Sequence, residues 1–249
     1  HQLSRGLGDV YKRQVSGRLP SIVFRAMENL QQTGICIIPI TGRPAGWCDH
    51  IARMWPIDAL VGENGAFYFY YDEQKKKMLR RYWKSEKQRK DDRQKLETLK
   101  SEILKAVPGS QVSADQPFRE ADLAIDFCED VPPLPVESVK KIVDVFKTAG
   151  AQAKVSSIHV NGWFGNYDKL SMTNLLLKEI FNVDLEIEKD RALFIGDSPN
   201  DCPMFAFFPH SVGVANVLNF KSQLDHEPAW VTEKPGGYGF AQMVDVLLS

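Results

Sequence analysis

The sequence predicts an α/β protein whose parallel-sheet core is interrupted by a smaller α+β domain. In the first and last parts of the chain, amphipathic helical stretches alternate with short apolar runs rich in β-branched residues, the pattern of a parallel sheet covered by helices. The middle of the chain instead shows aromatic alternation and a long polar helix. At 249 residues the chain is long enough for a core domain and a second, smaller one.

The first part of the chain alternates helix and strand. A Pro-Ser pair begins the first helix and a Thr-Gly pair ends it. The next run, ICIIPI, is continuously apolar and bounded by glycines, which favours a strand buried on both faces. The predicted elements are a helix that begins at Ser21 and ends at Thr33-Gly34, a strand at 35–40, a helix at 45–54, and a strand and turn at 58–66.

The middle of the chain predicts the α+β insertion. An aromatic-rich stretch turns near residues 72–74 as a hairpin would, and a long polar helix with one apolar stripe follows. The elements expected after the hairpin are a helix at 84–107, a strand at 123–129, a helix at 136–149 and a strand at 153–160. We therefore expect residues 69–159 to form the inserted domain, and residues 15–68 and 160–249 to form the core.

The last part of the chain returns to the α/β pattern. Its apolar run ALFIG predicts another buried strand, and a short helix and a further strand follow it. The predicted elements are a helix at 171–181, a strand at 191–197, a short helix at 203–207, strands at SVGVAN and AWVT, and a closing helix at 239–248.

Composition excludes several function classes. Charges nearly cancel, with 31 basic and 32 acidic residues, and no apolar run approaches the about 18 residues of a membrane helix. We therefore expect no nucleic-acid or membrane partner and a monomer or weak homodimer. The four cysteines lack metal-ligand spacing and indicate a reducing, cytoplasmic setting. Residues 75–95 hold eleven basic residues, which favour a solvated surface, although Arg80 or Arg81 could attract an anionic substrate.

Thr41, Gly42 and Arg43 follow an apolar strand directly. At the carboxyl edge of a parallel sheet, a hydroxyl and a tight glycine turn entering a helix could hold a phosphate. A threonine cap with an ordinary turn is the alternative.

Asp197 and Asp201 follow another apolar strand in the stretch GDSPND. Two carboxylates at this spacing could face one small volume and bind Mg²⁺, which takes one or two carboxylates and keeps waters. A pair of capping aspartates is the alternative. We expect Gly196 to favour the site, because a glycine lets the backbone approach a ligand closely.

Lys169 stands where a helix begins. A lysine in such a place is usually solvated. If it points inward, it would neutralise phosphate charge and restrain the nearby carboxylates.

Together, these three stretches resemble motifs of the haloacid dehalogenase superfamily of phosphohydrolases. Thr41–Arg43 looks like the second motif, Lys169 like the third and GDSPND like the fourth. VGENGA, at 61–66, and the insertion that follows look like the type IIB branch, which includes sucrose-phosphate, mannosyl-3-phosphoglycerate and trehalose-phosphate phosphatases. The resemblance runs from about residue 17 to the C-terminus. It implies a Rossmann-like parallel-sheet core with an inserted α+β cap domain that closes over the site and selects the leaving group.

The resemblance also implies an activity and a set of roles. The activity is a Mg²⁺-dependent phosphomonoesterase acting on a small phosphorylated metabolite, such as a sugar phosphate, through an aspartyl-phosphate. A phosphomutase and a non-catalytic phosphate-binding homologue are the alternatives. The catalytic residues implied are Thr41, Lys169, Asp197 and Asp201; phosphate or substrate would meet Thr41, Gly42, Arg43, Asn64, Lys169 and Asn200; and the metal would be bound by Asp197, with Asp201 as a second ligand or an orienting residue.

The family's first motif, an apolar strand ending in Asp-x-Asp-Gly-Thr, has no match in this chain. Asp9 is the only carboxylate before Glu28, and Tyr11 stands where the second aspartate would be. The nucleophile and its partner acid are therefore missing from the sequence as given.

The stretch Ser4–Gln14 can be back-translated, codon by codon, into the adapter and transposon end of a sequencing-library method. We therefore expect residues 1–14 to be a non-native leader and the natural sequence to begin near Val15, after a lost central strand. A native but degenerate N-terminus is the alternative. The loss predicts a gap between the strands at 35–40 and 191–197, and an inactive, poorly folded chain.

Overall fold

The computed structural model describes the backbone of residues 3–5 and all of residues 19–249. Asp9, Tyr11, Val15 and most of the expected leader lie outside the described residues. Within the described residues, the α/β architecture predicted from the sequence is confirmed. No helix in this part of the chain combines the length and the hydropathy needed to cross a bilayer.

The core contains a five-stranded parallel sheet. Its strands come from both ends of the chain, and each pair in the sheet runs parallel. In spatial order they are β12 (Trp230–Val231), β11 (His210–Gly213), β10 (Ala192–Gly196), β1 (Leu3–Arg5) and β2 (Cys36–Ile38).

The expected gap in this sheet is not present, because β1 occupies it. Leu3 pairs with Cys36 on one side and with Ala192 on the other. A sheet is joined through backbone N–H and C=O groups, which every residue but proline carries, so three residues of any such sequence can bridge two strands. The expectation of a gap was therefore wrong for the described backbone.

Helices cover both faces of the core sheet. On one face, α1 (Ser21–Gln32) and α8 (Gly236–Leu248) bury an apolar cluster that includes Met27, Leu30 and Phe240. The opposite face carries α5 (Lys169–Phe181), α6 (Leu185–Glu188) and α7 (Cys202–Phe207). These helices leave the carboxyl ends of β2 and β10 open, where the candidate site residues lie.

A three-stranded antiparallel sheet extends the core. It consists of β3 (Leu60–Gly62), β4 (Phe67–Asp72) and β5 (Lys77–Tyr82), and a parallel bridge between Ile40 and Val61 joins β3 to the segment after β2. The hairpin β4–β5 thus belongs with the core, whereas the sequence predicted a boundary at residue 69. Its apolar residues pack against α2 (Ala45–Met54) and α5, and Trp163 of the inserted domain belongs to the same cluster as α2.

The inserted domain is a four-stranded antiparallel sheet with two helices on one face, and we call it the cap. Its strands, in spatial order, are β6 (Gln111–Val112), β7 (Leu123–Asp126), β9 (His159–Trp163) and β8 (Gln152–Val155); its helices are α3 (Glu86–Ala106) and α4 (Val136–Thr148). Because β9 pairs with β7 as far as Gly162 and with β8 as far as Trp163, the cap sheet ends after the boundary that was expected at residue 159. The other face of the sheet is turned away from the two helices.

Candidate active site

Thr41 holds the turn after β2. Its N–H donates to the Val61 carbonyl at 2.9 Å, and its Oγ1 accepts the Arg43 N–H at 3.1 Å. The side chain is buried, with 1% exposure. Thr41 therefore stabilises the turn through its hydroxyl, but the N-cap of α2 is Pro44 and not Thr41, as the alternative had it. This turn brings Gly42 beside the Asn64 side chain.

Arg43 is joined to the cap. Its guanidinium lies 3.5 Å from Asp115 of the cap and stacks over the Trp47 ring at 4.3 Å. The side chain is buried. The sequence placed Arg43 with the phosphate group, whereas the structure pairs it with a carboxylate, and the residue does not line the cleft described below.

Asn64 and Lys169 are brought together by a close backbone approach. Asn64 stands in the left-handed region, with φ 57°, within the 3-10 turn Glu63–Gly65. Gly65 follows with φ +107°, and a Cβ there would lie 2.1 Å from the Asp168 carbonyl oxygen. Only glycine allows both the conformation and the contact. The turn therefore lies directly against the N-terminus of α5, where Lys169 begins the helix.

Lys169 points inward. Its Nζ lies 3.2 Å from Asp201 Oδ1, and its side chain is only 12% exposed. The backbone is fixed at this point by Asp168, whose carboxylate caps α5 by accepting the Ser171 N–H at 2.8 Å. The solvated position that is usual for such a lysine is thus excluded.

Asp201 orients the loop after β10. Its Oδ2 accepts the N–H groups of Asp197 at 3.0 Å and Ser198 at 3.3 Å, while Oδ1 meets Lys169. A Cβ on Gly196 would lie 2.7 Å from Asp201 Oδ2. Gly196 therefore makes room for this carboxylate, not for a ligand as the sequence suggested. Of the two roles implied for Asp201, these contacts favour the orienting one.

Asp197 is a buried carboxylate at the carboxyl end of β10, with 3% exposure. Its Oδ2 accepts from Asn216 Nδ2 at 3.4 Å, and Asn216 in turn accepts the Gly236 N–H at 3.0 Å. Among the residues that the structure describes, no three His, Cys, Asp or Glu side chains form a metal cluster. Asp197 still fits Mg²⁺, which uses one or two carboxylates and completes its shell with water.

A cleft of about 460 Å³ separates the cap from the core. Three residues expected at the phosphate line it, namely Asn64, Lys169 and Asn200. The cap contributes Gln152 and Lys154 from β8 and Trp163 from β9. Trp163 also stacks on Tyr167, with the two ring centroids 6.0 Å apart.

A buried cluster of charged residues joins the cap to the core. Its central cation, Arg119, pairs with Asp115 at 2.8 Å and with Asp122 at 2.9 Å. Asp122 also accepts from Asn161 Nδ2 at 3.0 Å and from Asn64 Nδ2 at 3.3 Å. Burial lowers the pKa of Arg119, but the Asp122 and Asp115 carboxylates more than offset it, so this pKa lies above its usual range. Arg119 therefore stays charged.

Glu63 is the core's contribution to this joint. Its carboxylate accepts the Ala45 N–H of the core at 2.8 Å and the N–H groups of residues 120–122 in the cap at 2.6–3.2 Å. Complete burial and the Asp122 charge raise the pKa of Glu63 to about 8. The sequence did not predict this joint. Its one signal was a glutamate following a buried strand within VGENGA.

The basic hairpin does not reach the cleft. Arg80 lies 2.5 Å from Asp49 on α2, and Arg81 lies 3.3 Å from Glu179 on α5. Both guanidinium groups are thus paired with core carboxylates at the surface, which is the solvated role that the sequence favoured.

No protein-family model and no curated protein matches the chain. Similar solved structures include a Thermoplasma acidophilum protein, with a TM-score of 0.74, 19% identity, and coverage of 99% of this chain and 98% of that one. A haloacid dehalogenase-like hydrolase from Bacteroides thetaiotaomicron has a TM-score of 0.67 at 14% identity, covering 98% of both chains. A subclass IIB sugar phosphatase of the same superfamily has a TM-score of 0.65 at 14% identity, also covering 98% of both.

At these identities, similarity of structure reports the fold. The likeness extends over nearly the whole of each chain, cap included. This chain has the fold of the haloacid dehalogenase-like hydrolases, a Rossmann-like core with an inserted cap.

Proposed function

We propose that the parent protein, by which we mean this chain with an intact first motif, is a phosphomonoesterase acting on a small phosphorylated metabolite. One observation carries the proposal: Lys169, held by the buried Asp201, shares a cleft of about 460 Å³ with the side-chain amides of Asn64 and Asn200. A cation and neutral N–H donors at the carboxyl edge of a parallel sheet form a suitable site for a phosphate dianion. The similar structures include a phosphatase for sugar phosphates, which supports the same class of substrate.

Each of these residues has a part in binding. Lys169 neutralises the phosphate, and Asp201 keeps its ammonium group at the site, because the pair is 3.2 Å apart and buried. Asn64 and Asn200 donate to phosphate oxygens, and the Thr41 turn keeps Gly42 beside Asn64. Asp197 would hold Mg²⁺, which when bound would neutralise charge on the transferring phosphoryl group. The cap would exclude water while the leaving group is bound.

The nucleophile belongs to the missing first motif. In the parent protein, an aspartate carboxylate would attack phosphorus and release the alcohol, which takes a proton from the second aspartate of the motif. Water would then cleave the aspartyl-phosphate, releasing inorganic phosphate and restoring the carboxylate. Because the present chain has no Asp-x-Asp before its first helix, we propose that it binds phosphate without turning it over. Phosphate binding without turnover is also what a non-catalytic, regulatory homologue would show.

The cysteines and the charge distribution bear on the cellular location and on the class of binding partner. None of the four cysteines forms a disulfide in the described part of the chain, in keeping with a cytoplasmic location. The charge balance and the paired arginines of the hairpin favour a small-molecule phosphate ester as partner over nucleic acid.

Restoring the first motif tests the proposal. Replacing residues 1–14 with an apolar strand that ends in Asp-x-Asp-Gly-Thr should produce Mg²⁺-dependent phosphate release from a panel of sugar phosphates. The matched control carries Asn for the first Asp and should release none. Activity that requires a bisphosphate activator would identify a phosphomutase. Equal phosphate release by the chain as given and by the restored protein would contradict the proposed role of the missing motif.

A further inference from the structure

The cleft has two walls of different chemistry. The core wall carries Lys169 and the asparagines described above. On the cap wall, Gln152 pairs in register with Trp163 across strands β8 and β9. Lys154 stands two residues from Gln152 along β8, so both lie on the same face of the sheet. All three of these cap side chains line the cleft, opposite the phosphate-binding residues.

The cap wall offers hydrogen-bond donors that the protein itself does not use. Trp163 is only 2% exposed, and its Nε1 has no hydrogen-bond partner among the described residues. Lys154 is exposed to the cleft and, within the part of the chain that the structure describes, has no carboxylate partner. An indole N–H and an ammonium group can only donate. A buried donor without an acceptor is costly, which indicates that a ligand atom completes it.

Negative charge is scarce in the same cleft. Asp168 is the one carboxylate among its described lining residues, and it caps α5 by accepting from the Ser171 N–H and from Ser171 Oγ at 2.5 Å. The one lining carboxylate is thus engaged at the start of α5, and the charge of Lys154 is not balanced by any described lining group. The cap wall therefore favours an anion.

We propose that Lys154, together with Trp163 Nε1 and Gln152, binds a second anionic group of the substrate. The substrate is then a phosphate monoester that also carries a carboxylate or a further phosphate, remote from the phosphate held by Lys169. This inference rests on the proposed function, since it takes the core wall as the phosphate site. It narrows the substrate class from phosphorylated metabolites in general to those with two anionic ends.

Calorimetric titration of the chain with matched ligands tests this. Glucose 6-phosphate and 6-phosphogluconate differ by a carboxylate, and fructose 6-phosphate and fructose 1,6-bisphosphate differ by a phosphate. The member with the second anion should bind about tenfold more tightly or better in at least one pair, as a charge-assisted hydrogen bond provides. The pair that shows the difference identifies the second anionic group as a carboxylate or as a phosphate.

Lys154→Gln should reduce the affinity for the doubly anionic ligand to that of its partner and leave the partner unchanged. Lys147→Gln, an exposed lysine of α4 away from the cleft, is the control and should change neither. Trp163→Phe should weaken the same ligand, since it removes the N–H and retains an aromatic ring. Equal affinities within both pairs, or equal effects of the two lysine variants, would overturn this inference alone. Absence of binding by inorganic phosphate and by all four esters would overturn the proposed function with it.

Discussion

Arg119 of the cap donates a hydrogen bond from Nη1 to the Gly42 carbonyl oxygen of the core, over 3.0 Å. Its side chain is 1% exposed and is held at the same time by Asp115 and Asp122. A residue of the cap therefore fixes the backbone of the turn that carries Thr41. The two domains meet through this buried cluster, so we expect the order of the proposed phosphate site to depend on the cap.

Replacing Arg119 should destabilise the protein strongly. Arg119→Met leaves the buried Asp122 without its cation and Asp115 with Arg43 alone, and breaking a buried ion pair on one side costs about 3–5 kcal/mol. Urea unfolding followed by circular dichroism measures this change. Arg53→Met is the control, because Arg53 pairs with Asp49 in an exposed position, and it should have little effect. Similar free-energy losses in both variants would contradict a special role for the Arg119 cluster.

Glu63 should make stability fall as pH rises towards 8. Its pKa is raised from 4.5 to about 8 in the folded protein, whereas in the unfolded chain the carboxyl ionises near its ordinary value. Between these values the folded state binds more protons than the unfolded state. Stability from this group is therefore complete below about pH 4.5 and decreases with rising pH, by at most about 1.4 kcal/mol per unit.

The free energy of unfolding of the protein and of Glu63→Gln, measured from pH 5 to pH 8, tests this. The free energy of unfolding of the protein should fall steadily relative to that of Glu63→Gln as the pH rises, because glutamine does not titrate. Parallel profiles would show that Glu63 is ionised in the folded state throughout.

Gly65→Ala should disrupt the contact between the Asn64 turn and α5. The new methyl group would overlap the Asp168 carbonyl, in addition to the strain of a positive φ. Gly150→Ala is a matched control, since Gly150 has φ +77° but no atom within 4 Å of the added Cβ. The control should lose about 1 kcal/mol and keep its phosphate affinity. Gly65→Ala should lose more stability and also bind phosphate more weakly; equal losses in the two variants would refute the close contact.

The sequence was most informative where polar residues follow directly after an apolar strand. Apolar runs predicted the strands, and the polar residues after them, Thr41 and Asp197, do lie at the carboxyl edge of the sheet. This works because hydrophobic periodicity is local and because carboxyl ends of parallel strands share an edge. The inward direction of Lys169 could not be predicted, since it depends on Asp201, 32 residues away.

Longer-range contacts explain the other differences. Glu63 meets Ala121 across 58 residues, and Arg119 meets Gly42 across 77. No local pattern reports such pairings, so the sequence singled out neither residue. The hairpin was placed in the inserted domain for a similar reason. Its alternation predicts two antiparallel strands but does not say that β4 pairs with β3 or that the core helix α2 packs against its apolar residues.

Binding of inorganic phosphate is the most direct test of the central claim, that Lys169 and its neighbours form a phosphate site. Calorimetry on the chain as given should show saturable binding. Lys169→Met should weaken it about tenfold or more through the lost charge-assisted bonds, Asn200→Ala should weaken it less, and Lys178→Met, an exposed lysine later in α5, should leave it unchanged. Thermal unfolding of each variant would confirm that it remains folded. Absence of saturable binding by the folded chain, or equal affinities of the Lys169 and Lys178 variants, would contradict the claim.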